Sequence, residues 1–229
     1  MANIIEIKNI DKIYGTQIKT QVLFGLDLSI EEGSFNSIIG QSGSGKSTLL
    51  NIIGTLDKPT AGEVKINGIK TNDMKANDLA ILRNETIGFI FQFHYLLPEF
   101  TAIENVLMPY YIKNKDIDKK MNERAHELMD LVGLSKVKNN LAGNMSGGQQ
   151  QRTAIARALL NGPKLILADE PTGNLDSDTT ETIYDLLREI NEKTKTTFVI
   201  ITHDRRIAEK TDRIIEIKDG KIHTDFKRK

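Results

Sequence analysis

A chain of 229 residues with 39% hydrophobic and 27% charged side chains can bury a sizeable core and lies outside the composition of disordered chains. Its 31 Lys+Arg and 31 Asp+Glu balance to a formal charge of zero, which argues against a protein built to grip a nucleic-acid backbone. It has no cysteine, which excludes disulfides, thiolate catalysis and cysteine-bound zinc and agrees with a reducing compartment.

Along the chain, Ile5, Ile7 and Ile10 fall near one face of an opening strand, and Leu26, Leu28 and Ile30 lie on one face of the next. Glu6 and Asp11 stand where a signal peptide carries its apolar region. No run approaches the ~20 apolar residues of a membrane helix. The chain is therefore expected in the cytosol and soluble by itself, with any membrane role borrowed from a partner. Glu31-Glu32-Gly33 reads as a turn before a short strand at 35–39, which runs into a Gly/Ser-rich loop. Leu49, Leu50, Ile52 and Ile53 then suit a helix ending near Gly54, and a turn over 58–62 precedes a strand at 63–67.

The middle of the chain is different. Phe89, Phe91, Phe93, Tyr95, Phe100, Tyr110 and Tyr111 crowd into one stretch. After a charged spacer at 114–120, Ile117, Met121, Ala125, Leu128, Met129 and Val132 follow helical spacing, with Gly133 as a stop. Residues 95–145 read as a mainly helical subdomain inserted into an α/β core, and 1–229 as a single domain. From Lys164 the α/β pattern resumes with buried strand runs at 165–168 and 198–201 and a helix stripe of Ile183, Leu186, Leu187 and Ile190. A hairpin turning at Asp219-Gly220 follows. Such alternation predicts a mostly parallel sheet covered on both faces.

Chemistry enters at Gly40-Gln41-Ser42-Gly43-Ser44-Gly45-Lys46-Ser47-Thr48, a G-x-x-x-x-G-K-[ST] run between a predicted strand and a predicted helix. Its glycines let successive N–H groups turn toward an anion, and the helix start adds its positive dipole end. Lys46 is expected on the β- and γ-phosphates of a nucleotide and the Ser47 hydroxyl on Mg²⁺. Guanine recognition is unsupported, because Asn114-Lys115-Asp116-Ile117 lacks the acid that an Asn-Lys-x-Asp element requires.

Asp169 and Glu170 end the apolar run at 165–168, at the sheet edge where open α/β folds bind ligands. Asp169 suits Mg²⁺, which needs few carboxylates. Glu170 suits the water attacking the γ-phosphate, as a base or orienter worth about 10²–10⁴ in rate. His203 ends the other buried strand, where it can reach the γ-phosphate or that water. Ser146 and Gln149 have capping-box spacing, and Gly147 and Gly148 leave a second helix start uncovered for an anion. Standing alone, that motif reads first as a well-capped helix.

Together, Gly40 to Thr48, Gln92, Ser146 to Gln149, the run ending at Asp169-Glu170, Asn174-Leu175-Asp176 and His203 resemble, in order and spacing, an ABC-transporter ATP-binding subunit over essentially the whole chain. The resemblance implies a P-loop NTPase core with a mostly parallel sheet, an N-terminal antiparallel β part and the inserted helical subdomain. It implies ATP and Mg²⁺ as ligands, with Gln92 joining Mg²⁺ and water to the helical part and Tyr14 stacking on adenine. It further implies that Ser146, Gly147, Gly148 and Gln149 close over the ATP of a second copy in a head-to-tail homodimer, that Asp176 belongs to a loop crossing the interface, and that His203 is the switch histidine. Met145 stands where the family usually has leucine, a near-isosteric change.

Phe91-Gln92-Phe93-His94-Tyr95-Leu96-Leu97-Pro98-Glu99-Phe100, continuing to Val106, and Gly173-Asn174-Leu175-Asp176 resemble the lipoprotein-releasing and macrolide-export branch (LolD/MacB type). That branch implies a separate integral membrane permease, and a place on the inner face of the cell membrane through it. Export or extrusion of a lipoprotein, peptide or antibiotic is the expected task. The aromatics after Gln92 suit a groove for a short helix of the permease, and with Lys229 last in the sequence no added regulatory domain is expected. The basic tail Lys227-Arg228-Lys229 reads as ordinary solvated charge. Cassettes that act on DNA or ribosomes carry basic arms or coiled coils, which are not seen here. A regulatory cassette of the cell-division type, signalling through a membrane partner without moving cargo, remains an alternative on sequence.

Overall fold

A computed structural model of the chain describes residues 2–228; Lys229, the last residue of the basic tail, lies outside them. Strands dominate the first part: β1 (Asn3–Tyr14), β2 (Thr20–Glu31) and β3 (Phe35–Ile39) precede α1 (Lys46–Ile53), β4 (Ala61–Ile66), β5 (Ile69–Lys70), α2 (Ala76–Thr86) and β6 (Ile87–Phe91). Helices follow: α3 (Ala102–Asn114), α4 (Lys119–Leu131) and, after a 3-10 turn at Ala142–Asn144, α5 (Gly147–Leu159). The remainder alternates through β7 (Leu165–Asp169), α6 (Ser177–Thr194), β8 (Thr197–Ile201), α7 (Arg205–Ala208), β9 (Arg213–Lys218) and β10 (Lys221–Lys227).

The two apolar runs form the middle of the larger sheet, whose order is β10-β9-β3-β8-β7-β6. Strands β9, β3, β8, β7 and β6 are parallel, and β10 returns antiparallel on β9. Pleating sends alternate residues to opposite faces. Leu165, Leu167, Val199 and Ile201 join a core with α1 and the smaller sheet. Ile166, Ala168, Phe198 and Ile200 join a second core with α3, α4, α5 and α6. Burial on both faces is why these strands are continuously apolar. Their carboxyl ends, together with that of β3, emerge side by side, which brings the loop at 40–48, Asp169, Glu170 and His203 to one edge of the sheet.

The smaller sheet, β2-β1-β4-β5, is antiparallel. The three-residue step from Ile7 to Ile10 breaks strict alternation, yet both are buried. A register shift between them reconciles the two, with Asn9 at φ 50° and its amide donating to Asp27 Oδ1 at 2.9 Å. The irregularity turns Ile10 back to the core face.

Between β6 and β7 the helices start on side-chain caps. Thr101 and Glu104 form a capping box on α3, and Asp118 accepts from the Met121 amide at the start of α4. Ile117, counted in the stripe of that helix, therefore lies before its cap and is 39% exposed; the apolar spacing continued past the true boundary. Helix α5 begins at Gly147, six residues ahead of the apolar run at 153–160, because Ser146 and Gln149 cap it. Helix α2 has no sequence expectation behind it. Only Leu79, Leu82 and Thr86 of its residues are buried, too few to make a stripe.

Candidate active site

The run from Gly40 to Thr48 leaves β3 and enters α1, as the strand–loop–helix context requires. Gly40 has φ 152° and lies so close to the next strand that a Cβ there would fall 2.2 Å from the Ile217 carbonyl oxygen; no side chain fits. Lys46 is buried, and its ammonium donates to the Gly40 and Gln41 carbonyls, each at 2.8 Å. Burial pushes that ammonium below its ordinary pKa, while the nearby charges of Glu170 and Asp169 act the other way. Ser44 Oγ is buried without a hydrogen-bond partner among the described residues. A cation satisfied only by carbonyl dipoles and an orphaned hydroxyl describe a loop shaped around an anion.

The acids arrive from β7. Asp169 Oδ1 lies 3.5 Å from Ser47 Oγ. Burial raises the Asp169 carboxyl above its ordinary pKa, against the Ser47 hydroxyl and with the Glu170 charge adding to it. Glu170 adopts φ 45°; its amide donates to the Ile201 carbonyl and its carbonyl accepts from Gly173, both at 3.0 Å. His203 Nδ1 lies 3.2 Å from Glu170 Oε2, with the histidine side chain 69% exposed and the glutamate 26%. Gly40, Ser42, Gly43, Gly45, Lys46, Ser47, Thr48, Glu170 and His203 line one cavity of about 590 Å³.

Among the described residues no three His, Asp or Glu side chains gather as metal ligands. A hydroxyl and one carboxylate side by side, with the remaining positions open, fit Mg²⁺, which keeps several waters and shares substrate oxygens. Gln92, just beyond β6, donates from Nε2 to Asn174 Oδ1 at 3.2 Å, and Asn174 Nδ2 donates back to the Gln92 carbonyl at 3.3 Å.

Tyr14 ends β1 with its ring 40% exposed. Its hydroxyl donates to Asp57 Oδ2 at 2.7 Å, and Lys12 Nζ sits 4.6 Å from the ring centroid while donating to Asp57 Oδ1 at 2.6 Å. Burial acts to raise the Asp57 carboxyl, but the Lys12 ammonium, the Tyr14 hydroxyl and the Lys58 amide together hold it below its usual value. Burial, and next the Asp57 bond, raise the Tyr14 phenol.

Ser146 and its neighbours lie elsewhere. Ser146, Gly148 and Gln149 line a different cavity, shared with Arg152 and Thr179 and with none of the residues lining the first. The box is closed: the Gln149 amide donates to Ser146 Oγ at 3.3 Å and the Ser146 amide to Gln149 Oε1 at 3.1 Å. Gly148 packs so tightly that a Cβ would meet the Thr179 methyl at 2.9 Å. Asp176 caps α6, accepting from the Thr179 amide at 2.9 Å and its hydroxyl at 2.7 Å, and these bonds hold its carboxyl below its ordinary pKa.

Three contributors carried no sequence signal. Lys12 and Asp57 hold Tyr14 across more than forty positions. Arg157 donates to the His94 and Tyr95 carbonyls, each at 2.6 Å, pinning the two left-handed residues at φ 59° and 48° that follow Gln92. Its third-turn place in a helix gives no hint of this.

The family model for ABC transporter proteins matches residues 23–173. LolD 1, the ATP-binding protein of the lipoprotein-releasing system of Rhodopseudomonas palustris, is 51% identical over 224 residues, covering 97% of this chain and 99% of its own length. Its counterpart LolD in Anaeromyxobacter dehalogenans is 48% identical over 96% of this chain and 93% of its own. Among solved structures, the dimeric post-hydrolysis state of the ATP-binding cassette MJ0796, bound to ADP and Pi, has a TM-score of 0.89 at 46% identity and covers 97% of this chain and 98% of that one.

Proposed function

This chain belongs to the ABC transporter family, and from that premise we propose that it powers a separate membrane permease that exports or extrudes a lipoprotein, peptide or antibiotic. The chain is the ATP-binding, ATP-hydrolysing subunit of an ATP-driven transporter. Lipoprotein release is the first choice of task, supported by full-length relatives named for it at 51% and 48% identity. Among the described residues no helix is long and apolar enough to cross a membrane, so membrane work falls to the permease, which holds the chain at the inner face.

The observation that carries the mechanism is the single cavity in which Lys46, Glu170 and His203 meet. Lys46 and the loop amides bind the β- and γ-phosphates, with Tyr14 stacking on the adenine. Ser47 and Asp169, with Gln92, would hold Mg²⁺, which would supply positive charge to neutralise the phosphate oxygens. Glu170 orients the attacking water or takes its proton, and His203 steadies that arrangement from 3.2 Å away. Ser146, Gly148 and Gln149 line a separate cavity, so one chain offers an incomplete site. A second copy, turned head to tail, completes each site by laying its Ser146 helix start over the γ-phosphate, with Asp176 in the interface loop. That a similar cassette is dimeric supports the pairing of two copies.

Glu170→Gln tests it. The variant keeps ATP binding, loses about 10²–10⁴ in turnover, and accumulates an ATP-bound dimer measurable by light scattering. Near-normal hydrolysis would remove Glu170 from its role.

A further inference from the structure

Gln151, five residues beyond Ser146 on α5, is 0% exposed. Its Nε2 donates to the carbonyl of Pro171, while its Oε1 has no hydrogen-bond partner among the described residues. A buried amide with half of its hydrogen-bonding capacity unused is poorly suited to a purely packing role, which an apolar side chain of similar shape performs without that penalty. The bond it does make is placed with purpose. Pro171 follows Glu170 directly and has no N–H of its own, so its carbonyl is the one backbone group by which a neighbour can hold it.

Glu170 itself is left-handed, at φ 45°, a conformation that persists in a non-glycine residue only when its surroundings enforce it. Two of the enforcing bonds come from the sheet edge and its turn, through Ile201 and Gly173. A further bond, on the carbonyl of the adjoining Pro171 and not on Glu170 itself, comes from the helix that begins at Ser146. We infer that Gln151 is a positioning residue: it ties the placement of Glu170 to the placement of the Ser146 helix in the same chain. This rests on the reading of Glu170 and Ser146 given above. Docking of Ser146 on the partner's nucleotide then reaches, within one chain, the acid serving that chain's own nucleotide.

Gln151→Met is the test. Methionine fills a similar volume and exchanges one unsatisfied acceptor, Gln151 Oε1, for another, the Pro171 carbonyl, so the melting temperature should hold. The expected result is a kcat lower by roughly 10- to 100-fold, the scale of a small misplacement at a reacting centre, with KM for ATP unchanged within about twofold. In a Glu170→Gln background the same substitution should remove no further turnover. Retained kcat, a matching rise in KM, or full additivity with Glu170→Gln would overturn the inference. Should Gln151→Met not fold, Gln151→Asn, whose amide ends one methylene short of Pro171, reads the same split. If Glu170→Gln itself keeps turnover, the reading of Glu170 falls; if it loses turnover while Gln151→Met keeps it, only the role of Gln151 falls.

Discussion

The loop from Gly40 to Ser47 and the helix start at Ser146 are the two anion sites proposed above, and they are finished to different degrees. In the first, Lys46 has only carbonyl partners, Ser44 Oγ has none, and burial works against the charged forms of both Lys46 and Asp169. In the second, the cap is closed on both sides. The first region is under electrostatic tension that an occupant relieves, so it should bind nucleotide in a lone chain. The second is satisfied within the chain, so it should add nothing until a partner's nucleotide is brought against its helix start, where Gly147 is exposed.

Ser146→Arg probes the second region and has the largest expected effect. ATP binding to the single chain stays within about twofold, while dimer formation and turnover are lost by about 10² or more, read by light scattering and phosphate release. Loss of the cap alone costs about 1 kcal/mol, which Ser146→Asp avoids by keeping a capping oxygen while opposing an incoming phosphate. That variant should be as inactive as Ser146→Arg yet nearly as stable as the parent. ATP-induced dimerisation of either would erase the contrast between the regions.

A middle effect is expected beside the first region. Tyr14→Ala removes a stacking face worth about 1–3 kcal/mol, roughly a 5- to 150-fold loss in ATP affinity. Affinity for inorganic tripolyphosphate should not change. Equal losses for both ligands in calorimetry would show that Tyr14 supports the loop rather than the base.

The smallest effect tests the tension directly. The folded-state pKa of Asp169 is raised by burial, so the folded chain favours the protonated form. Its unfavourable contribution is absent below the ordinary carboxylate pKa and complete above the raised one. Asp169→Asn, uncharged throughout, should therefore melt a few degrees higher than the parent at pH 7 without nucleotide and converge with it toward pH 3. A lower melting point at pH 7 would mean that Asp169 stabilises the empty chain.

How much of this could be read from sequence follows the range of the interactions. β7 and β8 were legible because burial on both faces leaves an uninterrupted apolar run, and the loop at 40–48 because its chemistry is contiguous. The first boundary of α4 was misplaced, since Ile117 continues a stripe that Asp118 physically ends. α2 left no trace, with three scattered buried residues. At the site, Lys12 and Asp57 meet from opposite ends of a 45-residue separation, and Gln151 reaches Pro171 across twenty. Neither pair shares a local pattern. The capping box at 146–149 was readable, but what lies beneath its helix was not, because a buried glutamine in a polar run looks like a surface one.

Arg157 has a wider consequence. Its guanidinium is largely buried, burial lowers its pKa, and the oxygens it holds belong to His94 and Tyr95 rather than to an acid. Peeling that segment away by itself would break both bonds at once, so the segment and α5 are tied to each other at this point. Phe93 and Tyr95, which stand 66% and 64% exposed beside the clamp, are thus a handle on that helix: whatever seats on those rings pulls on α5 through Arg157.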